Sequence, residues 1–240
     1  FVEVTLNYGF EALGSGNYSG HIKTTFTNLN AQPASTPVPV APPCSSDNND
    51  IVMVMDTSLS MLDPWTGGAN RQSKLVQTAH TFIKKLKLSA AGNHVAIVGF
   101  NASARTYSGF TSNMVTADNA IDAMVTSQGT QYAKGIDEAG NVLKSARPSA
   151  NHVVIFMSDG LDNDTQDQKY SDSANGPYVF GALSRINNLN DLYSVGINPN
   201  SDNMSLLSNM PRGVGFFSDA KSPGALQQAY DGIAAMISCQ

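Results

Sequence analysis

Three short, continuous apolar runs constrain the fold more than any other feature of this chain. Ile51-Val52-Met53-Val54-Met55, Val95-Ala96-Ile97-Val98-Gly99-Phe100 and His152-Val153-Val154-Ile155-Phe156-Met157 lack the polar alternation of a half-exposed strand. Runs of this length, rich in β-branched residues, suit strands buried on both faces of a parallel sheet. Between them the apolar period changes from continuous to helical. Over residues 72–88, Leu75, Val76, Ala79, Phe82, Ile83 and Leu86 share one helix face. Further helices are predicted near 116–125, 132–145 and 178–187, and Pro223 opens a last one carrying Leu226, Ala229, Tyr230, Ile233 and Met236. An edge strand is predicted at 105–110, and further strands at 192–197 and Gly215-Phe216-Phe217.

Strands alternating with helices predict an α/β fold, a doubly wound, mainly parallel sheet flanked by helices. Such sheets bind ligands outside the carboxyl ends of their strands, which directs attention to the residues after Met55, Phe100 and Met157.

The first part of the chain differs. Residues 1–31 alternate as strands do (Val2, Val4, Leu6; then Ile22, Thr24, Phe26) around the turn Gly14-Ser15-Gly16-Asn17. They read as a β-rich segment, a hairpin or part of a separate small module. Residues 32–43 hold five prolines, at 33, 37, 39, 42 and 43, and read as a semi-rigid linker. The α/β domain then spans 44–240.

Hydrophobic residues make up 41% of the 240, enough for a sizeable core, but charged residues only 14%, against about 25% in ordinary soluble domains. Asn, Ser, Thr, Gln and Gly take their place, a mix that fits secreted or cell-surface proteins. A net charge of −5 excludes nucleic acid and anionic membrane as main partners, since both need a basic footprint. No apolar run approaches the ~18 residues of a membrane span, so no direct membrane insertion is expected. No secretory leader is visible, and a chain opening on Phe1 reads as a processed product. The two cysteines, Cys44 and Cys239, stand at the two ends of the α/β domain. They are either separate thiols or a disulfide clamping those ends. The bridge is the reading favoured here, worth up to ~5 kcal/mol in the chain-entropy model and implying an oxidising compartment.

Chemistry gathers at the strand ends. Asp56-Thr57-Ser58-Leu59-Ser60 follows the first apolar run and puts a carboxylate and two hydroxyls on one turn. Ser127-Gln128-Gly129-Thr130 adds a hydroxyl before a helix, and Ser158-Asp159-Gly160 adds a second carboxylate after the strand ending at Met157. Oxygen donors with no His or Cys among them suit a hard cation such as Mg²⁺.

Asp56-x-Ser58-x-Ser60, Thr130 and Asp159 resemble the metal-ion-dependent adhesion site of von Willebrand factor A domains, including those of integrins, with Rossmann-like folds. All five positions carry the expected residue types, and the resemblance covers residues 50–240. It implies Mg²⁺ (Mn²⁺ or Ca²⁺ also accommodated) held by Asp56, Ser58, Ser60 and Thr130 directly or through water, and by Asp159 mainly through water. A Glu or Asp carboxylate of a protein ligand would complete the shell. The Asp-x-Ser-x-Ser-Met form is similar to that of bacterial A domains, and a β-rich segment on a Pro-rich linker is similar to A domains joined to pilus proteins. The resemblance thus implies an extracellular adhesion module of a bacterial surface or pilus, with pilus subunits among its partners. The alternative is a structural domain of such an assembly in which the metal only stabilises loops.

Asp63 and Trp65 follow the first loop closely and are candidates for the ligand rim. Asp162, Asp164 and Asp167 lack the Gly and terminal Glu of an EF-hand-type loop and read as a solvated acidic loop. His21, His80, His94 and His152 show no metal-ligand spacing. An enzyme is not expected. Haloacid-dehalogenase-type phosphatases need a second Asp where Ser58 stands, and neither a Gly-x-Ser-x-Gly elbow nor a Gly-rich phosphate loop ending in Lys-Ser/Thr appears.

Overall fold

All eight residues of β3, Asn49–Asp56, are buried, and this strand organises the larger part of the molecule. The computed structural model describes residues 3–11, 17–25, 48–65, 68–160, 179–198 and 206–238. The linker 32–43, Cys44, Cys239 and the acidic residues Asp162, Asp164 and Asp167 lie outside them. The chain divides into two compact units, Phe1–Val40 and Ala41–Gln240. In the first, β1 (Glu3–Glu11) and β2 (Asn17–Thr25) pair antiparallel in one unbroken register, from Glu3 opposite Thr25 to Glu11 opposite Asn17.

In the second unit six strands form one sheet: β3, β4 (His94–Phe100), β5 (Ala104–Thr111), β6 (Asn151–Ser158), β7 (Asp191–Ile197) and β8 (Phe217–Ala220). Their order is β5-β4-β3-β6-β7-β8, parallel throughout except for the edge strand β5. The longer helices among the described residues are α1 (Arg71–Lys85), α2 (Met114–Asp122), α3 (Tyr132–Leu143), α4 (Val179–Ser184) and α5 (Pro223–Ser238). This is the doubly wound α/β fold expected from the alternating runs. Among the described residues no helix is long and apolar enough to cross a membrane.

Two cores follow from the pleat of β3, whose successive side chains point to opposite faces. Ile51, Met53 and Met55 pack with Leu75, Phe82 and Ile83 of α1 and Tyr230 and Ile233 of α5. Val52 and Val54 pack on the other face with Tyr132, Ile136 and Ala139 of α3 and Val179 and Ala182 of α4. A strand buried on both sides can be apolar at every position, which is why the run showed no alternation.

Two of the boundaries that differ from the sequence expectation have a local cause. Helix α2 begins at Met114 rather than near 116, because the Asn113 side chain accepts from Val115 N (2.9 Å) and Thr116 N (3.2 Å) and caps it there. Strand β8 starts at Phe217 rather than Gly215. Gly215 instead closes a turn onto Arg212 O at 3.0 Å. Its backbone passes so near Leu192 O that a Cβ there would lie 1.7 Å from it.

Candidate metal centre

Strand β3 connects through α1 to β4 on one side and pairs with β6 on the other, so the strand order reverses across it. The crevice at the carboxyl ends of β3 and β6 is the topological switch point where such sheets bind ligands. Met55 pairs with Met157, which leaves Asp56 and Ser158 as the next residues on adjacent strands. Ser158 Oγ donates to Asp56 Oδ2 at 2.5 Å, and Ser58 N donates to Asp56 Oδ1 at 2.7 Å. From there the polar atoms continue outward. Ser58 Oγ and Ser60 Oγ lie 2.9 Å apart, and Ser60 Oγ donates to Asp159 Oδ1 at 2.8 Å.

The third loop is brought in by backbone contacts. Ser127 N donates to Thr57 O at 2.8 Å, Ala102 N to Gln128 O at 3.1 Å and Gln131 N to Asn101 O at 2.9 Å. Gly129 has a φ of +85°, and a Cβ there would lie 2.6 Å from Ala102 Cβ and 2.9 Å from Ala102 Cα. Only glycine combines that conformation with so close an approach. The loop thereby delivers Thr130, 6% exposed, to the site. Gly160 marks the meeting point: a Cβ there would lie 3.3 Å from Ser60 Oγ and 3.5 Å from Thr130 Oγ1. Tyr132 OH donates to Gly160 O at 2.6 Å and holds that turn against α3. Asp56, Ser58, Ser60, Thr130 and Asp159 are therefore together.

The electrostatics are unusual for a protein interior. Burial pushes the Asp56 carboxyl up to about 7, and the negative charge of Asp159 adds to the effect against the hydrogen bonds from Ser158 and Ser58. Burial also raises Asp159, opposed by the Ser60 hydroxyl and by Arg71. Arg71 Nη1 stands 2.5 Å from Asp159 Oδ2, 3.2 Å from Ser60 O and 3.5 Å from Asp63 Oδ2. Asp56, by contrast, meets only hydroxyl and amide donors among the described residues. An all-oxygen donor set around a buried carboxylate that lacks a counter-charge fits a hard divalent cation. The five oxygen-bearing residues are the ones that could hold it. Among the described residues no group of three or more His, Cys, Asp or Glu is placed to hold a metal ion, so the fit rests on hydroxyls as much as on carboxylates.

Asp63, expected at the ligand rim, has a side chain that is 63% exposed and lies 3.5 Å from Arg71 Nη1. Trp65 is a correction. It is 6% exposed and belongs to the core that α1 and α5 share with β3, because burying so large an apolar ring outweighs displaying it. Sequence reasoning missed Arg71, the Ser158 hydroxyl as donor to Asp56, and Tyr132. Arg71 did leave a signal: a cation in the first turn of a helix opposes the helix dipole and asks for a nearby anion.

Residues 51–161 match the model of the von Willebrand factor type A domain. Solved structures extend the likeness over most of the second unit. The vWF domain of the type V pili tip protein Mfa5 from Porphyromonas gingivalis superposes with a TM-score of 0.61 at 16% identity, over 80% of this chain and 95% of that one. The second unit has the von Willebrand factor A fold. The pilus adhesin SpaC from Lactobacillus rhamnosus GG gives a TM-score of 0.63 at 16% identity, over 78% of this chain and 30% of that one. Proximal thread matrix protein 1 from the mussel byssus, in a structure with a zinc-occupied MIDAS motif, gives 0.62 at 19% identity, over 79% of this chain and 45% of that one. This chain thus spans less than half of the latter two. No curated protein sequence matches it. Within the von Willebrand factor A fold, the site lies at the carboxyl edge of β3 and β6, where Asp56 and Asp159 converge.

Proposed function

We propose that the second unit is a metal-dependent protein-binding module that holds one Mg²⁺, or Mn²⁺ or Ca²⁺ in its place, through Asp56, Ser58, Ser60, Thr130 and Asp159. One observation carries this reading: Asp56 is wholly buried, raised to about 7, and among the described residues meets neutral donors alone. When bound, the ion supplies a Lewis-acid position for one oxygen of an acidic side chain on a protein partner. The chain's own part is to keep the donors in place, through Ser158 on Asp56, Tyr132 on Gly160, and Gly129 behind Thr130. The module binds and does not turn over substrate. Pilus tip and adhesin proteins among the similar structures support a surface or pilus setting, with pilus subunits as candidate partners.

A second reading has support of its own. Ser60 to Asp159 and the paired backbones of Ser58 and Ser127 tie the loops together through the site, so a metal could serve only to stabilise them inside an assembly. Calorimetric titration of Mg²⁺ and Mn²⁺ into EDTA-stripped protein tests the metal, with Asp56→Ala alongside. One-site binding that the variant loses is the expected result, and no binding at millimolar metal would sink the proposal. EDTA then separates the readings. A binding module loses its partner and stays folded, whereas a structural one loses stability or assembly.

The Cys44–Cys239 bridge is part of the proposal. Asn49 Nδ2 donates to Ile237 O at 3.2 Å, so the start of β3 and the end of α5 touch. The cysteines stand five residues before the one and two after the other, a span that extended chain covers. Thiol titration of unfolded, unreduced protein should find none free.

A further inference from the structure

Arg71 occupies a place that costs energy unless something there needs a cation. It is the first residue of α1, next to the Asn70 cap, where the helix presents its partial positive end. Its side chain is only 16% exposed and points at Asp159, whose side chain is fully buried. The same Nη1 donates to Ser60 O, so one guanidinium joins the loop after β3 to the carboxylate after β6. Both oxygens of Asp159 are then engaged by this chain, Oδ1 by Ser60 and Oδ2 by Arg71.

We propose that Arg71 is a resident counter-cation that weakens the site's hold on its metal and strengthens the occupied site's hold on an acidic ligand. The inference rests on the metal-binding reading above. With both carboxylates ionised, as a bound cation requires, Asp56 and Asp159 with Arg71 sum to −1, and a divalent ion brings the site to +1. Without Arg71 the same site would run from −2 to neutral. The first arrangement binds the cation less tightly and then attracts a carboxylate. The second binds the cation more tightly and then offers an anion no net charge. Asp63, 3.5 Å from Arg71, does not cancel this, because its side chain is 63% exposed and water screens it. A unit charge within several ångströms of a divalent ion shifts its affinity by about tenfold even under the full screening of water, and by more where the pair is partly buried.

The test uses the full chain, stripped with EDTA, as wild type, Arg71→Met and Arg71→Lys. Calorimetry reads Mn²⁺ affinity. Water-proton relaxation of the Mn²⁺-loaded protein then reads binding of a short blocked peptide carrying one Glu. Arg71→Met should bind Mn²⁺ at least about tenfold more tightly and the peptide at least roughly threefold more weakly, while Arg71→Lys stays near wild type in both. Unchanged or weaker Mn²⁺ binding in Arg71→Met, with an unaltered melting temperature, would overturn the inference and leave Arg71 as a strut that orients Asp159. Should Arg71→Met fail to fold, Arg71→Lys decides: a tenfold change in its Mn²⁺ affinity overturns the role of charge, and none supports it. If wild type binds no Mn²⁺ at all, the metal reading and this inference fall together. Wild-type binding with no shift in the variants sinks only the inference.

Discussion

Strand β3 carries a buried aspartate near each end, and the two are treated in opposite ways. Asp50, at the amino end, meets a full set of charged and amide donors from Arg147. Its Oδ1 accepts from Arg147 Nη2 at 2.6 Å and Nε at 2.9 Å, and its Oδ2 accepts from Arg147 N at 2.6 Å. The same guanidinium reaches Gly92 O at 2.7 Å. Around it Asn49, Asn93, Leu86 O and Ile237 O close a hydrogen-bonded knot joining β3, the end of α1 and the end of α5. Asp56, six positions along the same strand, has among the described residues hydroxyls and an amide but no cation. Where the chain supplies the counter-charge, an aspartate holds the fold together. Where it supplies neutral donors alone, the proposed metal ion would bring the counter-charge.

The largest effect should come from breaking the satisfied end. Arg147→Met leaves the Asp50 charge buried and unpaired, which should cost about 3–5 kcal/mol in urea denaturation. The corresponding loss of donors at the other end, in Ser158→Ala, should cost far less at acid pH, where Asp56 can take up a proton. Equal losses at both ends under those conditions would erase the distinction.

The unsatisfied end should betray itself through pH. The Asp56 carboxyl stands at about 7 in the folded protein against 3.8 ordinarily. Between those values the folded state keeps a proton that the unfolded chain has released. Stability of the metal-free protein should therefore fall as pH rises from about 4 to about 7, by roughly 2–4 kcal/mol, and level off above. Asp159, raised in the same direction, adds to the slope. Asp56→Asn should flatten most of it, and saturating Mg²⁺ at pH 7 should restore about 2–3 kcal/mol to wild type alone, as expected near a hundredfold excess over Kd. A flat profile in EDTA would mean that Asp56 finds a counter-charge inside the chain after all.

How much of this could be read from the sequence depended on the distance over which each feature is decided. The runs Ile51–Met55, Val95–Phe100 and His152–Met157 named their own burial, because a strand covered on both faces is apolar throughout. Asp56, Ser58 and Ser60 lie within five residues and directly follow such a run, so the loop was visible. Asp159 was visible in the same way after the run ending at Met157, Thr130 was read as a further hydroxyl before a helix, and the family resemblance joined the five into one site. Arg71 was not visible as Asp159's partner because 88 residues separate them and only the β3–β6 pairing brings them together. Arg147 escaped for the same reason, 97 residues from Asp50. Trp65 went the other way, since closeness to the loop in sequence says nothing about which way a ring packs. Gly215 read as strand on its apolar neighbours, while the close approach of Leu192 O that excludes it is a tertiary fact.

The smallest expected effect calibrates the other two. On the outside of α1, His80 lies between two carboxylates of α2, with Nδ1 2.5 Å from Asp118 Oδ1 and Nε2 2.9 Å from Asp122 Oδ1. Partial burial works to lower its pKa, but the hydrogen bonds and charges of the two aspartates outweigh this and raise it above 6.5. For a raised histidine the added stability is complete below about 6.5 and is lost as pH climbs through the folded value. This is a clamp at the surface, with Asp122 62% exposed, so its contribution should be about 0.5–1 kcal/mol and should shrink in 1 M salt. His80→Gln removes it, and the difference from wild type should vanish on the alkaline side. The Asp56 slope lies in a lower window and survives that substitution, so the two can be separated in one set of pH-dependent melts. If the loss in His80→Gln matched that in Arg147→Met, burial would not be what distinguishes the ends of β3 from the surface. The contrast between Asp50 and Asp56 would then need another cause.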